Sequence, residues 1–454
     1  MTRLRPCACL AIMALALAAC DDASSEAPPA EDAGADRGFA LGDAAPTDGD
    51  LPVADGGGGL PADASIDSGG GGGGAQGLPC DRNSHYGVNQ PPLALTTSEV
   101  GGHTPRALRL ADGWALAWLS PGEGGLLSLW FQRFGDDFAA RGQPQRVGDA
   151  RLPQFALLDR GADGQVIVWI SGRTLEGGFD GLMIRAIDAA GALAAESVMM
   201  EGTFDAQAMA AAWVPQLQGM LVFSRGRQGE GGLFAIPISV DGPLVEAPVV
   251  LSEGASSSPA MVLGDEGTWG VAWQERGSEN PSDLLFAVLD DFGMPFDPPN
   301  RRDDAGAQGD VHAAFGHGTF AVAWSKLDGF GDLKPVLTLY DTAGDVLATP
   351  PIPGPEGFGL VTDVVWLEPD TFGIAWQDNQ SARVTVGMTR VNARGQVSDP
   401  LRMLSPEGHH QRALVLGGTL AAGAAFYVDD PSPPAAGGYS ASAQIQRAAL
   451  GPCP

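Results

Sequence analysis

The sequence predicts an all-β fold, a seven-bladed β-propeller of four-stranded antiparallel blades. Three observations carry that expectation. A short apolar phrase ending in an aromatic recurs seven times at a nearly constant interval; its large and small side chains alternate with period two; and the last repeat ends one strand short, while a spare strand precedes the first.

The phrase reads Ala115-Leu116-Ala117-Trp118 in its first copy, and later copies close on Trp169, Phe223, Trp273, Trp324, Trp376 and Phe426, at spacings of 51, 54, 50, 51, 52 and 50 residues. A fixed period near fifty is the signature of a propeller or solenoid. Periodicity decides between helix and strand. In Phe320-Ala321-Val322-Ala323-Trp324 the bulky side chains sit at every second position, which lines one face of a strand and would scatter around a helix. Both faces are apolar, one bulky (Trp269, Val271, Trp273) and one small (Gly270, Ala272), so the strand is buried on both sides and stacked sheets interdigitate large against small.

The remaining strands follow from turn chemistry. In five repeats a polar turn opens on Asp or Asn 16 to 19 residues after the aromatic and contains Gly: Asp188, Asp241, Asp290, Asp341 and Asn392 open them. Those residue types suit a short hairpin. A strand lies between aromatic and turn, another after the turn, and another before the phrase, giving an innermost strand A, then B with the aromatic, then C and D. Repeat seven stops after strand C near Leu450, and the segment around Pro92-Leu93-Ala94-Leu95 matches Pro400-Leu401-Arg402-Met403-Leu404. The N-terminal strand is therefore expected as strand D of the last blade. Cys453 ends strand C there and Cys80 precedes strand D, so a Cys80–Cys453 disulfide is expected where the other blades have a hairpin. Closing so long a loop contributes up to roughly 5 kcal/mol in the chain-entropy description. Over residues 80–454 the chain resembles seven-bladed propellers in general, without the Gly-His and Trp-Asp marks of WD40 repeats or the double glycine of kelch repeats.

The N-terminus is an address. Arg3 and Arg5 precede an apolar stretch from Cys9 to Leu17, too short to span a bilayer, which ends in Leu17-Ala18-Ala19-Cys20. That ending resembles the lipobox of bacterial lipoproteins. The resemblance implies a signal peptide over 1–19, acylation of Cys20, export, and a membrane anchor on the periplasmic side or the cell surface. Residues 20–79 are rich in Gly, Ala, Asp and Pro, with glycine runs at 56–59 and 69–74. Such a segment cannot bury enough apolar surface to offset its conformational entropy and reads as a disordered tether with a reach on the order of 40 Å.

Charge excludes one partner class. The chain carries −29 overall; the two leader arginines and a net −11 over 21–79 leave −20 on 80–454. An acidic domain repels phosphate backbones, so no nucleic acid is expected. A monomer without cofactors or metal is expected.

Function is expected on loops carried by the rigid ring. The D–A and B–C connections share one face, and the B–C segments there vary most; Arg173, Arg225, Arg227, Glu275 and Arg276 stand in them. The first positions of strand A converge on the central channel and carry Arg106, Gln154, Gln207, Ser258, His312, Asp363 and Arg412. This mixed polar ring is the candidate ligand-binding site. The tryptophans could be sugar platforms, but their alternation assigns them to blade interfaces. His409-His410 and His312 with His317 are weak metal candidates. No nucleophile elbow is present and no free thiol is expected, so the first expectation is a non-catalytic binding or scaffolding propeller presenting loops to a protein, peptide or glycan. The alternative is an enzyme acting on envelope glycans at the channel mouth, for which Asp310 and Asp363 are the nearest carboxylate pair.

Overall fold

The computed structural model describes residues 86–88, 93–96 and, with interruptions, 102–452. Every described residue belongs to one compact unit within Gly72–Pro454. Cys20, Cys80, Cys453, the leader and the tether lie outside the described residues.

Strand B of each blade is the recurring phrase: Gly113–Pro121, Gln165–Gly172, Gly219–Arg227, Trp269–Arg276, Thr319–Leu327, Thr371–Asp378 and Gly423–Asp430. Every one pairs antiparallel on both sides, with an inner strand A and an outer strand C. The A strands are His103–Leu110, the end of Ala140–Asp159, Ala206–Trp213, Ser256–Leu263, the end of Asn300–Gly316, Gly359–Leu367 and His410–Gly418. Ala140–Asp159 and Asn300–Gly316 each run unbroken from strand D of one blade into strand A of the next.

Closure of the ring is visible in the core. Seven apolar clusters each join two neighbouring blades, and the seventh joins the last to the first: Ala424, Phe426 and Ile445 pack with Trp114, Leu116 and Trp118. The chain is a seven-bladed β-propeller. Its N-terminal strand completes blade 7, where Tyr86–Val88 and Leu93–Ala94 both lie antiparallel on Gln444–Pro452, with Tyr86 opposite Pro452 and Leu93 opposite Arg447.

The alternation of strand B sorts as its side-chain sizes require. Trp114 and Leu116 face blade 7, while Ala115 and Ala117 face blade 2; Phe320 and Val322 face blade 4, while Ala321 and Ala323 face blade 6. Blade 7 departs from the sequence alignment. Phe426 faces blade 1, edge-on to Trp114 with ring centroids 5.2 Å apart, and Ala425 and Tyr427 face blade 6. Tyr427, not Phe426, takes the tryptophan place. A slip of one residue exchanges the two faces of a strand.

Four of the C–D turns share one construction, and the Asp241 turn differs, its Asp241 N–H donating to Ser239 Oγ. Oδ1 of Asp188, Asp290, Asp341 and Asn392 accepts the N–H groups two and four residues on, at 2.8–3.0 Å. The glycine three residues on has φ of 79–91°, a conformation that only glycine adopts without strain.

Candidate functional site

The seven A strands share an irregularity that sets the site. In each, the register with strand B slips once near its start: between His103 and Arg106, Ala150 and Phe155, Ala206 and Ala208, Ser257 and Ala260, Gln308 and His312, Val361 and Asp363, and Arg412 and Val415. An extra residue in one strand bends it and re-aims its side chains. In four strands the bulge holds a residue in the left-handed region: Thr104 (φ 48°), Ser258 (φ 47°), Gly309 (φ 73°) and Ala413 (φ 50°). Three of these carry a Cβ, a strain that folded proteins concentrate at functional positions.

A bulge frees backbone groups from the ladder, and leaving one buried and unpaired costs about 1–3 kcal/mol. The preceding blade supplies partners. Gln274 Nε2 donates to the carbonyl of Gly309 at 2.6 Å, Val361 N–H donates to Ser325 Oγ at 2.8 Å, and Ala413 N–H donates to Gln377 Oε1 at 3.2 Å. Each partner directly follows an aromatic of the phrase: Trp273, Trp324 and Trp376. Blade packing and site geometry are thereby set by adjacent residues.

Two connected spaces result. A channel of about 220 Å³ is walled by A strands of blades 1 to 6, and a wider mouth of about 420 Å³ opens over blades 5, 6, 7, 1 and 2. Arg106, Gln154, Asp310 and His312 line both. Of the residues read from sequence, Ser258 and Asp363 line the channel and Arg412 lines the mouth. Gln207 does not join them; it is the residue its bulge leaves out of the ladder, and it is exposed and lines neither space. His103 and Asp430, which sequence reasoning missed, are buried in the mouth wall at 4% and 2% exposure. They come from strand ends, where no repeat pattern marks them.

The electrostatics are uneven. Burial pushes the Asp363 carboxyl up to about 6, although the Leu416 N–H, 2.9 Å from Oδ2, and the Arg106 charge pull the other way. Burial lowers His312 to about 4, with Asp310 opposing and Arg106 assisting, so its imidazole is neutral at neutral pH. His312 Nε2 and Gln154 Oε1 are shut off from solvent and bonded to nothing among the described residues. The wall thus presents a carboxyl able to carry a proton, a neutral imidazole able to take one, and a guanidinium in electrostatic range of both.

The other candidates separate from this site. Trp118, Trp169, Trp273, Trp324 and Trp376 are at most 1% exposed, within blade interfaces. His317 stands in the A–B turn at the other end of its strand, stacked on Trp366 with centroids 6.5 Å apart, and so does not meet His312. His409 and Arg173 lie outside the described residues, and among the described residues no three His, Cys, Asp or Glu side chains gather as a metal site. The B–C segments are shorter loops than expected, because the ladder runs on through them: Arg225 pairs with Gly232, and Glu275 with Asp283. Glu275 is held by Ser252 Oγ and by Arg301 Nη1, the latter at 3.1 Å. Arg301 also bonds Asp283 at 2.6 Å, so this cluster ties strands together.

The chain matches no family model and no curated protein. Solved structures of similar fold include polysaccharide lyase Uly1 (TM-score 0.48, 10% identity, covering 77% of this chain and 89% of that one). They also include the β-propeller domain of the Trilobed protease from Pyrococcus furiosus (TM-score 0.42, 10% identity, 73% and 92%) and a GH43_1 enzyme from Xanthomonas citri (TM-score 0.33, 11% identity, 68% and 92%). The likeness is one of fold. The expectation of a chain without catalytic activity is corrected here, because the channel wall holds a carboxyl able to carry a proton beside a neutral imidazole able to take one.

Proposed function

We propose that the channel and its mouth together form the active site of a glycan-acting enzyme, held at the cell envelope through Cys20, in which Asp363 in the channel wall delivers a proton to the departing sugar oxygen. The observation that carries this reading is a carboxyl holding its proton up to about pH 6 in the wall of a cavity that also presents a neutral imidazole. A general acid works best with a pKa near the operating pH, and such a group contributes about 10²–10⁴-fold to rate. Neutral His312 takes the proton of the water whose oxygen bonds the anomeric carbon, while the glycosidic C–O bond breaks and its oxygen leaves with the proton from Asp363. The mouth, at about 420 Å³, has room for one or two sugar rings.

The test is product release from peptidoglycan, xylan, arabinan and polygalacturonate by the exported protein. Cleavage of at least one polymer, with a loss of about 100-fold in Asp363→Asn, supports the reading. No cleavage of any of them, or an unimpaired Asp363→Asn variant, overturns it.

A further inference from the structure

Among the described residues, two guanidiniums in the mouth, those of Arg106 and Arg412, form no ion pair with a carboxylate. Arg106 and Arg412 stand on the A strands of blades 1 and 7, neighbours across the seam where the ring closes, and both line the 420 Å³ mouth. Among the described residues Arg412 makes no hydrogen bond or ion pair. Arg106 donates only to the carbonyl of Pro105, at 3.2 Å, and lies over the ring of Phe155, 5.9 Å from its centroid. Other arginines of this acidic chain have carboxylate partners: Arg133 and Arg141 on Asp112, Arg301 on Glu275 and Asp283. Both mouth arginines sit at a bulge whose left-handed residue, Thr104 or Ala413, turns the strand. Two adjacent strands therefore accept backbone strain at the same place, and each carries an unpaired cation into the same space.

We propose that Arg106 and Arg412 form an anion subsite, and that the glycan taken at the mouth carries sugar-acid carboxylates. This rests on the glycan-acting reading of the same cavity and names its substrate class. A guanidinium fork matches a planar carboxylate with two parallel hydrogen bonds, and charge-assisted bonds of this kind are about twice as strong as neutral ones. Phe155 beside Arg106 and the buried wall around Arg412 reduce the competition from water. A domain of net −20 attracts no polyanion at long range, so the selectivity resides in these two side chains.

The experiment measures binding to the Asp363→Asn protein, so that the polymer is not consumed. Its ligands are polygalacturonate, the same polymer with its carboxyls reduced to alcohols, and dextran sulfate. The expected result is a preference of about tenfold or more for polygalacturonate over its reduced form. Arg412→Gln should abolish most of that preference while leaving affinity for the reduced polymer unchanged. Equal affinity for acid and reduced polymers overturns the proposal, and this comparison needs no arginine variant to fold. Tighter binding of dextran sulfate than of polygalacturonate overturns the assignment to carboxylates. Preference without turnover by the wild-type protein keeps the subsite and removes the glycan-acting reading; turnover of reduced polymer without preference does the reverse.

Discussion

The guanidinium of Arg447 lies 3.8 Å from the centroid of the Phe138 ring, so the last strand of the chain is covered by the C–D turn of the first blade. Phe138 is 7% exposed, stacks on Trp114 with centroids 5.5 Å apart, and meets Phe426 at 6.2 Å. One side chain thus joins blade 1 to two strands of blade 7. Phe138→Ala should cost about 3 kcal/mol, from lost apolar contact, the cavity left behind and a bared Arg447. Thermal unfolding checks this; a melting temperature like that of the wild type would mean that the seam is held elsewhere.

The same seam predicts unequal deletions. Removing residues 80–100 strips Tyr86–Val88 and Leu93–Ala94 from strand C of blade 7 and leaves its edge unpaired. Removing 21–79 takes away only the tether expected from sequence. The first deletion should lower the melting temperature far more than the second. The antiparallel register, with Tyr86 opposite Pro452, also leads us to propose the Cys80–Cys453 disulfide. Mass spectrometry of unreduced digests should show the two peptides linked; free thiols at both positions in exported protein would end that proposal.

We propose that Cys20, the thiol of the lipobox-like sequence, attaches the protein to the membrane. Cys20→Ser should move the protein from the membrane fraction to the soluble one. A variant still on membranes after a carbonate wash would mean that a second anchor exists.

Opposed titrations in the channel make a stability prediction. Asp363 is raised from 3.8 to about 6, so the stability it gives is present at low pH and lost as pH rises through about 6. His312 is lowered from 6.5 to about 4, so its contribution is present above 6.5 and lost as pH falls toward 4. Each shift corresponds to about 3 kcal/mol, and over this window the two nearly cancel. Wild-type stability should be flat from about pH 4 to 6.5. Asp363→Asn should leave only the histidine effect, with melting temperature rising across that range, and His312→Gln should leave the opposite slope. Calorimetry at several pH values decides; equal slopes in the two variants would contradict the assignment of burial as the common cause.

The ring was legible because its determinants are repeated and local: size alternation in strand B, Asp or Asn with Gly at the C–D turns, and a matching spare strand at the N-terminus. The faces of strand B could be assigned from Trp114-Ala115-Leu116-Ala117-Trp118, but Phe426 and Tyr427 stand side by side, and nothing local says which one points to blade 6. Six of the seven predicted channel residues converge because the inner strand of every blade must line the same axis. The bulges were not legible, since Thr104, Ser258 and Ala413 adopt left-handed backbone without the glycine that would announce it. Gln207 was misplaced for the same reason, and His103 and Asp430 were missed because strand ends carry no period.

The most direct test of catalysis in the channel and its mouth is the pH dependence of glycan cleavage. If Asp363 must be protonated and His312 neutral, the rate rises through about pH 4, peaks at about 5 and falls above about 6. The account predicts that bell for the wild-type protein, and for Asp363→Asn a rate lower by about 100-fold with the descending limb gone. A descending limb near pH 6 that persists in Asp363→Asn would place the chemistry at another group and contradict the account.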